Sequence, residues 1–114
     1  MSPLEAATIR RKLSLMVESL SRLKPVVGLA LDEWRADPDR HDAAERRLQT
    51  CIEAAIDVNG HLLVAAGQAA PADAYRSFVD LAEKLAVLPP DLARELAPSA
   101  GLRNRLVHRY DELD

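Results

Sequence analysis

Ala44-Glu45-Arg46-Arg47-Leu48-Gln49-Thr50-Cys51-Ile52-Glu53-Ala54-Ala55-Ile56-Asp57-Val58-Asn59-Gly60-His61-Leu62-Leu63-Val64-Ala65 decides the fold class. Within it Ala44, Leu48, Cys51, Ala55, Val58, Leu62 and Ala65 recur at spacings of four and three. That is the period of an α-helix with one apolar face, and the run holds no strand-like alternation. Asp37-Pro38-Asp39 before it reads as a turn. The helix is expected from about Asp39 to Ala66, with Gly67 suited to its C-terminal cap.

On the N-terminal side the same pattern returns. Ile9, Leu13, Met16, Leu20, Leu23, Val27, Ala30 and Trp34 alternate spacings of four and three, which predicts one long helix from Pro3 to Trp34. Ser2 suits its N-cap, Pro3 its first position and Glu5 its third. Pro25 falls inside the pattern, and a bend rather than an end is expected there because the stripe continues.

On the C-terminal side, Asp73 suits the N-cap of a third helix carrying Tyr75, Phe78, Ala82, Leu85 and Leu88 inward, closed by Pro89-Pro90. A short helix over Asp91 to Ala97 follows. Pro98 then predicts a restart, with helix from Ser99 to about Leu106. The sum is an all-α, up-down antiparallel bundle of four or five helices joined by short links.

A chain of 114 residues is expected to form one domain, 1–114, with a single core. Aromatics are only 4% of residues, so that core is aliphatic. One cysteine, Cys51, excludes an internal disulfide and suits a reducing, cytoplasmic setting. No apolar run reaches membrane-spanning length, and the N-terminus has no signal-peptide pattern. The net charge of −3 excludes a generally basic nucleic-acid binder. Cations clustered at one place are still compatible with it, and six of the fifteen lie in two groups: Arg10, Arg11 and Lys12, then Arg103, Arg105 and Arg109. There is no glycine-rich phosphate loop and no Cys-x-x-Cys, so no cofactor is called for. His41, His61 and His108 are scattered, so no metal site is expected.

The chemistry concentrates near the end, in Gly101-Leu102-Arg103-Asn104-Arg105-Leu106-Val107-His108-Arg109-Tyr110. Arg carries a permanent planar charge matched to phosphate. His exchanges protons near neutrality. Tyr offers a stacking face and a hydroxyl. These are the groups needed to hold a phosphodiester and move protons around it; the plainer reading is a basic, frayed helix end. Arg103 and Tyr110, seven apart, share a helical face, whereas His108, five from Arg103, points about 140° away. Bringing Arg103 and His108 together requires either a helix end near Leu106 or Val107, or pairing across a two-fold dimer. With a helix end there, His108 and Tyr110 project to one side of an extended segment. Upstream, Glu53, Asp57 and His61 are spaced four and four and so stack along one face. They form either a solvated stripe or carboxylates that orient Arg103 or His108.

Arg103-Asn104-Arg105-Leu106-Val107-His108-Arg109-Tyr110 resembles the Arg-x4-His-x-Tyr motif of the HepT-like HEPN ribonuclease toxins. Three further stretches look like the same family: Arg40 to Gln49 opening the second helix, the Glu53, Asp57, His61 series, and Tyr75-Arg76-Ser77-Phe78 opening the third. The resemblance implies a helical HEPN domain and a metal-independent endoribonuclease toxin of a toxin–antitoxin pair. By that likeness Arg103 and His108 are catalytic, and Asn104, Arg105, Tyr110, Glu53 and Asp57 are substrate-binding or supporting. It implies attack by the RNA's own 2′-hydroxyl, a homodimer with both motifs lining one cleft, and a nucleotidyltransferase antitoxin able to attach AMP to Tyr110. The alternative is a non-catalytic helical partner or substrate-binding subunit of a nucleotidyltransferase. HepT-like proteins usually run past the motif tyrosine into another helix, whereas this sequence stops at Asp114, which leaves the shielding of the motif and the closure of the dimer open.

Overall fold

The computed structural model describes residues 1–113, with side chains as far as His108. Among these residues there are six helices and no strand: α1 (Pro3–Val27), α2 (Leu31–Ala36), α3 (Pro38–Ala65), α4 (Ala74–Leu85), α5 (Pro90–Leu96) and α6 (Ser99–Leu113). The all-α bundle expected from the periodicity is observed. Ser2 and Asp73 cap the helices expected to start at them, and Asp37, read as part of a turn, caps α3. Ser2 Oγ accepts from Glu5 N–H at 3.1 Å, Asp37 Oδ1 from Arg40 N–H at 3.1 Å, and Asp73 Oδ1 from Arg76 N–H at 2.7 Å. Each satisfies one of the orphan donors of a first turn. Gly67 adopts φ 81°, and Gln68 N–H reaches Leu63 O at 2.9 Å, the left-handed closure that favours glycine.

The first helix differs from expectation. It ends at Val27, two residues past Pro25, instead of continuing to Trp34. Pro25 removes one backbone donor, and Gly28 follows before another full turn can form, so little holds the helix beyond that point. Ala30 and Trp34, which prolong the apolar pattern, belong to the separate helix α2. Trp34 packs there on His41 of α3, with ring centroids 4.4 Å apart.

α3 is the axis of the bundle, with α1, α2, α4 and α6 all packed against it. Its buried residues are Ala44, Gln49, Cys51, Ile52, Ala54, Val58, Asn59 and Leu63, a broader band than the single predicted stripe, because neighbours cover it on several sides. α1 runs antiparallel to it: Lys12 Nζ meets Asp57 Oδ2 at 3.0 Å, while Arg22, further along α1, shares a groove with Arg46 and Arg47, earlier on α3. α1 turns Ile9 and Ser19 inward and leaves Leu13, Val17 and Leu20 exposed at 43%, 68% and 50%. Its apolar surface is therefore wider than one chain covers.

α4 buries Ser77, Phe78, Asp80 and Leu81. Tyr75, expected inward, is 47% exposed. The first turn is anchored instead by Ser77, whose hydroxyl donates to Ala74 O at 2.6 Å and accepts from Asn59 Nδ2 at 3.0 Å. Asp80 is buried but paired with Arg76 at 3.0 Å and Lys84 at 3.6 Å. Its hydrogen bond is the main cause that raises the pKa of Arg76. α4 stops at Leu85, before Pro89-Pro90, because Ala86 takes the left-handed conformation, φ 53°. The restart after Pro98 is observed: Gly101 and Leu102 N–H both reach Pro98 O, at 3.1 and 3.3 Å. Among the described residues no helix is long and apolar enough to cross a membrane.

Candidate active site on the last helix

α6 carries the motif, and it does not break where convergence within one chain would need it to. The helix continues from Ser99 to Leu113. No proline or glycine follows Gly101, and Leu106 is buried against the bundle at 7% exposure, so nothing terminates it near Val107. Arg103 and His108 therefore stand on one continuous helix, about 140° apart. The extended segment expected beyond Leu106 does not form, and the local argument for joining the two side chains fails with it.

Arg103 is half-buried at the edge of the bundle, and Asn104, Arg105 and His108 are exposed. Arg103 Nε donates to Asn104 Oδ1 at 2.9 Å. That bond uses the Nε–H and neither of the two terminal amino groups, the fork that binds phosphate oxygens in pairs. Arg105 lies back along the helix: a Cβ placed on Gly101 would stand 3.6 Å from Arg105 Nη1. The side chain of Tyr110 lies outside the described residues, as does that of Arg109.

The carboxylates of α3 have other partners. Asp57 is bound to Lys12 of α1, and Glu53 Oε1 accepts from the buried Gln49 Nε2 at 3.0 Å. Among the described residues neither carboxylate is bonded to Arg103 or His108. His61 is exposed.

Two features were missed by the sequence reading. His41 stands between two carboxylates, Nδ1 3.4 Å from Asp42 and Nε2 3.3 Å from Glu45, under Trp34. Potential metal-ligating atoms of these three residues lie within 4.8 Å of one another. Both ring nitrogens already face carboxylate oxygens, and all three residues belong to α3. What ties α2 to α3 is Trp34 packed on His41, with Arg40 Nη2 donating to Glu33 O at 2.6 Å. The i, i+4 spacing of His41 and Glu45 was the available signal. The second is a groove between α1 and α3 lined by Arg22, Arg46 and Arg47, which only the tertiary pairing of α1 and α3 brings together.

Comparison with known proteins bears on this helix. A family model described as ribonuclease HepT-like matches residues 16–114, the whole of α3 to α6 included. The chain is 37% identical over 114 residues to the tRNA nuclease HepT of Aphanizomenon flos-aquae, covering 100% of this chain and 77% of that protein. It is 30% identical over 106 residues to the mRNA nuclease HepT of Shewanella oneidensis, covering 93% of this chain and 78% of that one.

Proposed function

This chain belongs to the HepT-like ribonuclease family and is an RNA nuclease; on that premise we propose that it is a metal-independent endoribonuclease toxin whose chemistry is carried by Arg103 and His108. The observation that carries the reading is the Arg-x4-His-x-Tyr run on α6 within the matched region, with Arg103 half-buried and His108 exposed.

The RNA's 2′-hydroxyl attacks the adjacent phosphorus, and His108 exchanges a proton with the reacting oxygens, worth about 10²–10⁴ in rate. The 2′-O–P bond forms and the P–O5′ bond breaks. The products are a 2′,3′-cyclic phosphate and a 5′-hydroxyl that takes up a proton. Arg103, its fork oriented by Asn104, holds the phosphate and stabilises the charge that grows on its oxygens. Arg105 adds a second cation to the same helix, and Tyr110 stacks a base or positions phosphate. Asp57 and Glu53 support this site only at a distance, by holding α3 against α1 and by bonding Gln49.

The active unit is a homodimer. Divergence of Arg103 and His108 within one chain supports a site shared between two copies, and the exposed apolar edge of α1 supports self-association. The partner is a nucleotidyltransferase antitoxin that attaches AMP to Tyr110, placing a phosphate where the RNA backbone binds and so blocking the site. The protein acts in the cytoplasm. Cleavage of RNA by purified protein in EDTA, absent in His108→Ala, is the test. The acidic net charge of −3 favours a second reading, a non-catalytic subunit of a nucleotidyltransferase. Absence of cleavage by the unsubstituted dimer would favour that reading.

A further inference from the structure

Two hollows flank α1. One is lined by Leu13 and Val17 and is largely apolar. The other, a groove of about 230 Å³ between α1 and α3, is lined by Arg22, Arg46 and Arg47 with the hydroxyls of Ser19 and Thr50, and Leu15 at its edge. Glu18 is its single carboxylate, and it pairs with Arg22 at 3.1 Å. Three guanidinium groups thus meet one carboxylate. Among the described residues neither Arg46 nor Arg47 has a carboxylate partner, in a chain whose acids outnumber its cations by 18 to 15. Unbalanced cations gathered in one groove of an acidic protein repel one another, and an anion placed among them relieves that repulsion.

We infer that this α1–α3 groove is a phosphate-binding subsite for the RNA backbone, apart from the α6 site, with Arg46 and Arg47 as its principal contacts. The inference rests on the ribonuclease reading. Guanidinium forks flanked by hydroxyls suit phosphodiester oxygens, and there is no aromatic face among the lining residues to read a base, so the contact positions RNA without selecting sequence. Arg46 and Thr50, one turn apart on α3, point along the same face, which lets one phosphate meet a cation and a hydroxyl together. α3 also packs against α6. An RNA long enough to reach both surfaces is held at the groove and cut at the motif.

The test is fluorescence anisotropy of a labelled RNA hairpin with dimers carrying His108→Ala, which prevents cleavage, with and without Arg46→Ala and Arg47→Ala. Removing both arginines is expected to weaken binding roughly tenfold and to lower the slope of log affinity against log salt by about 2, one unit per phosphate contact. Arg46→Lys with Arg47→Lys keeps the charge and is expected to keep the slope, which separates loss of a cation from loss of folding. With His108 intact, cleavage of the hairpin is expected to slow while cleavage of a dinucleotide, too short to reach the groove, stays unchanged. Unchanged affinity and slope overturn the assignment, as does a loss of affinity with no change in slope. Weaker binding of a poly-glutamate peptide with unaltered RNA binding overturns it in favour of an acidic protein partner. If the protein without the arginine changes binds no RNA, the ribonuclease reading itself falls and the groove assignment falls with it.

Discussion

Arg103 and His108 stand on one uninterrupted helix, five residues apart in sequence and about 140° apart around its axis. Side chains so placed diverge from a common helix and do not close on one phosphate in the same chain. The geometry therefore separates two questions. The chemical role proposed for each residue can be tested by a substitution by itself. Which chain supplies each residue to a given site is a separate matter, answered by mixing chains.

Arg103→Ala is expected to lower cleavage by about 10²–10³-fold through loss of charge stabilisation, and His108→Ala by about 10²–10⁴-fold through loss of proton transfer. Arg103 is half-buried and His108 exposed, so both variants are expected to keep their helical signal and melting temperature. A variant that unfolds would mark its residue as structural.

Asp57→Ala is expected to leave cleavage nearly unchanged. Its carboxylate is tied to Lys12 at 3.0 Å, with side-chain exposures of 25% for Lys12 and 54% for Asp57. A pair so exposed contributes at most about 1 kcal/mol. Thermal melts and cleavage rates measured side by side decide the point: lost cleavage at unchanged stability would return Asp57 to the active site.

Where structure follows from neighbouring residues, it was legible in the sequence. Ser2 and Asp73 cap helices because a short side-chain oxygen three residues upstream reaches an orphan N–H, and Gly67 closes α3 because glycine takes the left-handed backbone at least cost. Where structure depends on distant packing, it was not. The apolar pattern through Trp34 reads as one helix, yet Trp34 lies on the separate helix α2 and packs on His41 of α3. The motif on α6 was legible as chemistry, but the break after Leu106 was inferred from what the chemistry needs, and no residue there causes one. The groove at Arg22, Arg46 and Arg47 was illegible, because antiparallel pairing of α1 with α3 creates it.

Ala86 holds φ 53° at the end of α4, a conformation that costs an alanine about 1–2 kcal/mol relative to glycine. Glycine loses more chain entropy on folding, by roughly 0.5–1 kcal/mol. Ala86→Gly is expected to gain about 0.5–1 kcal/mol net, seen as a melting temperature higher by several degrees, roughly 4–8 °C per kcal/mol. An unchanged or lower melting temperature would show that the turn is held without strain.

Cys51 is buried on α3, and desolvation raises its thiol pKa above the ordinary 9.0. Below the unfolded value the thiol is protonated in both states and its contribution is constant. As pH rises from about 9.0 toward the raised folded value, the unfolded chain ionises first and stability falls. Cys51→Ala is expected to flatten the decline in melting temperature above about pH 9.0, and the native thiol is expected to resist disulfide reagents until the chain unfolds. Rapid labelling of the folded protein at pH 8 would contradict the burial.

The shared site is tested by mixing inactive chains. If each active site takes Arg103 from one protomer and His108 from the other, a dimer joining an Arg103→Ala chain to a His108→Ala chain holds one intact site and one doubly damaged site. Random exchange makes about half of the dimers mixed, and each mixed dimer has one working site of two, so roughly a quarter of wild-type cleavage is expected to return. If both residues act within one chain, every site in the mixed dimer lacks one of them and no activity returns. Exchange is followed by mass spectrometry, with one chain isotope-labelled, so that silence from failed exchange is not mistaken for silence from a split site. A monomer by light scattering at micromolar concentration, still cleaving RNA, would remove the shared site altogether and require α6 to rearrange when RNA binds.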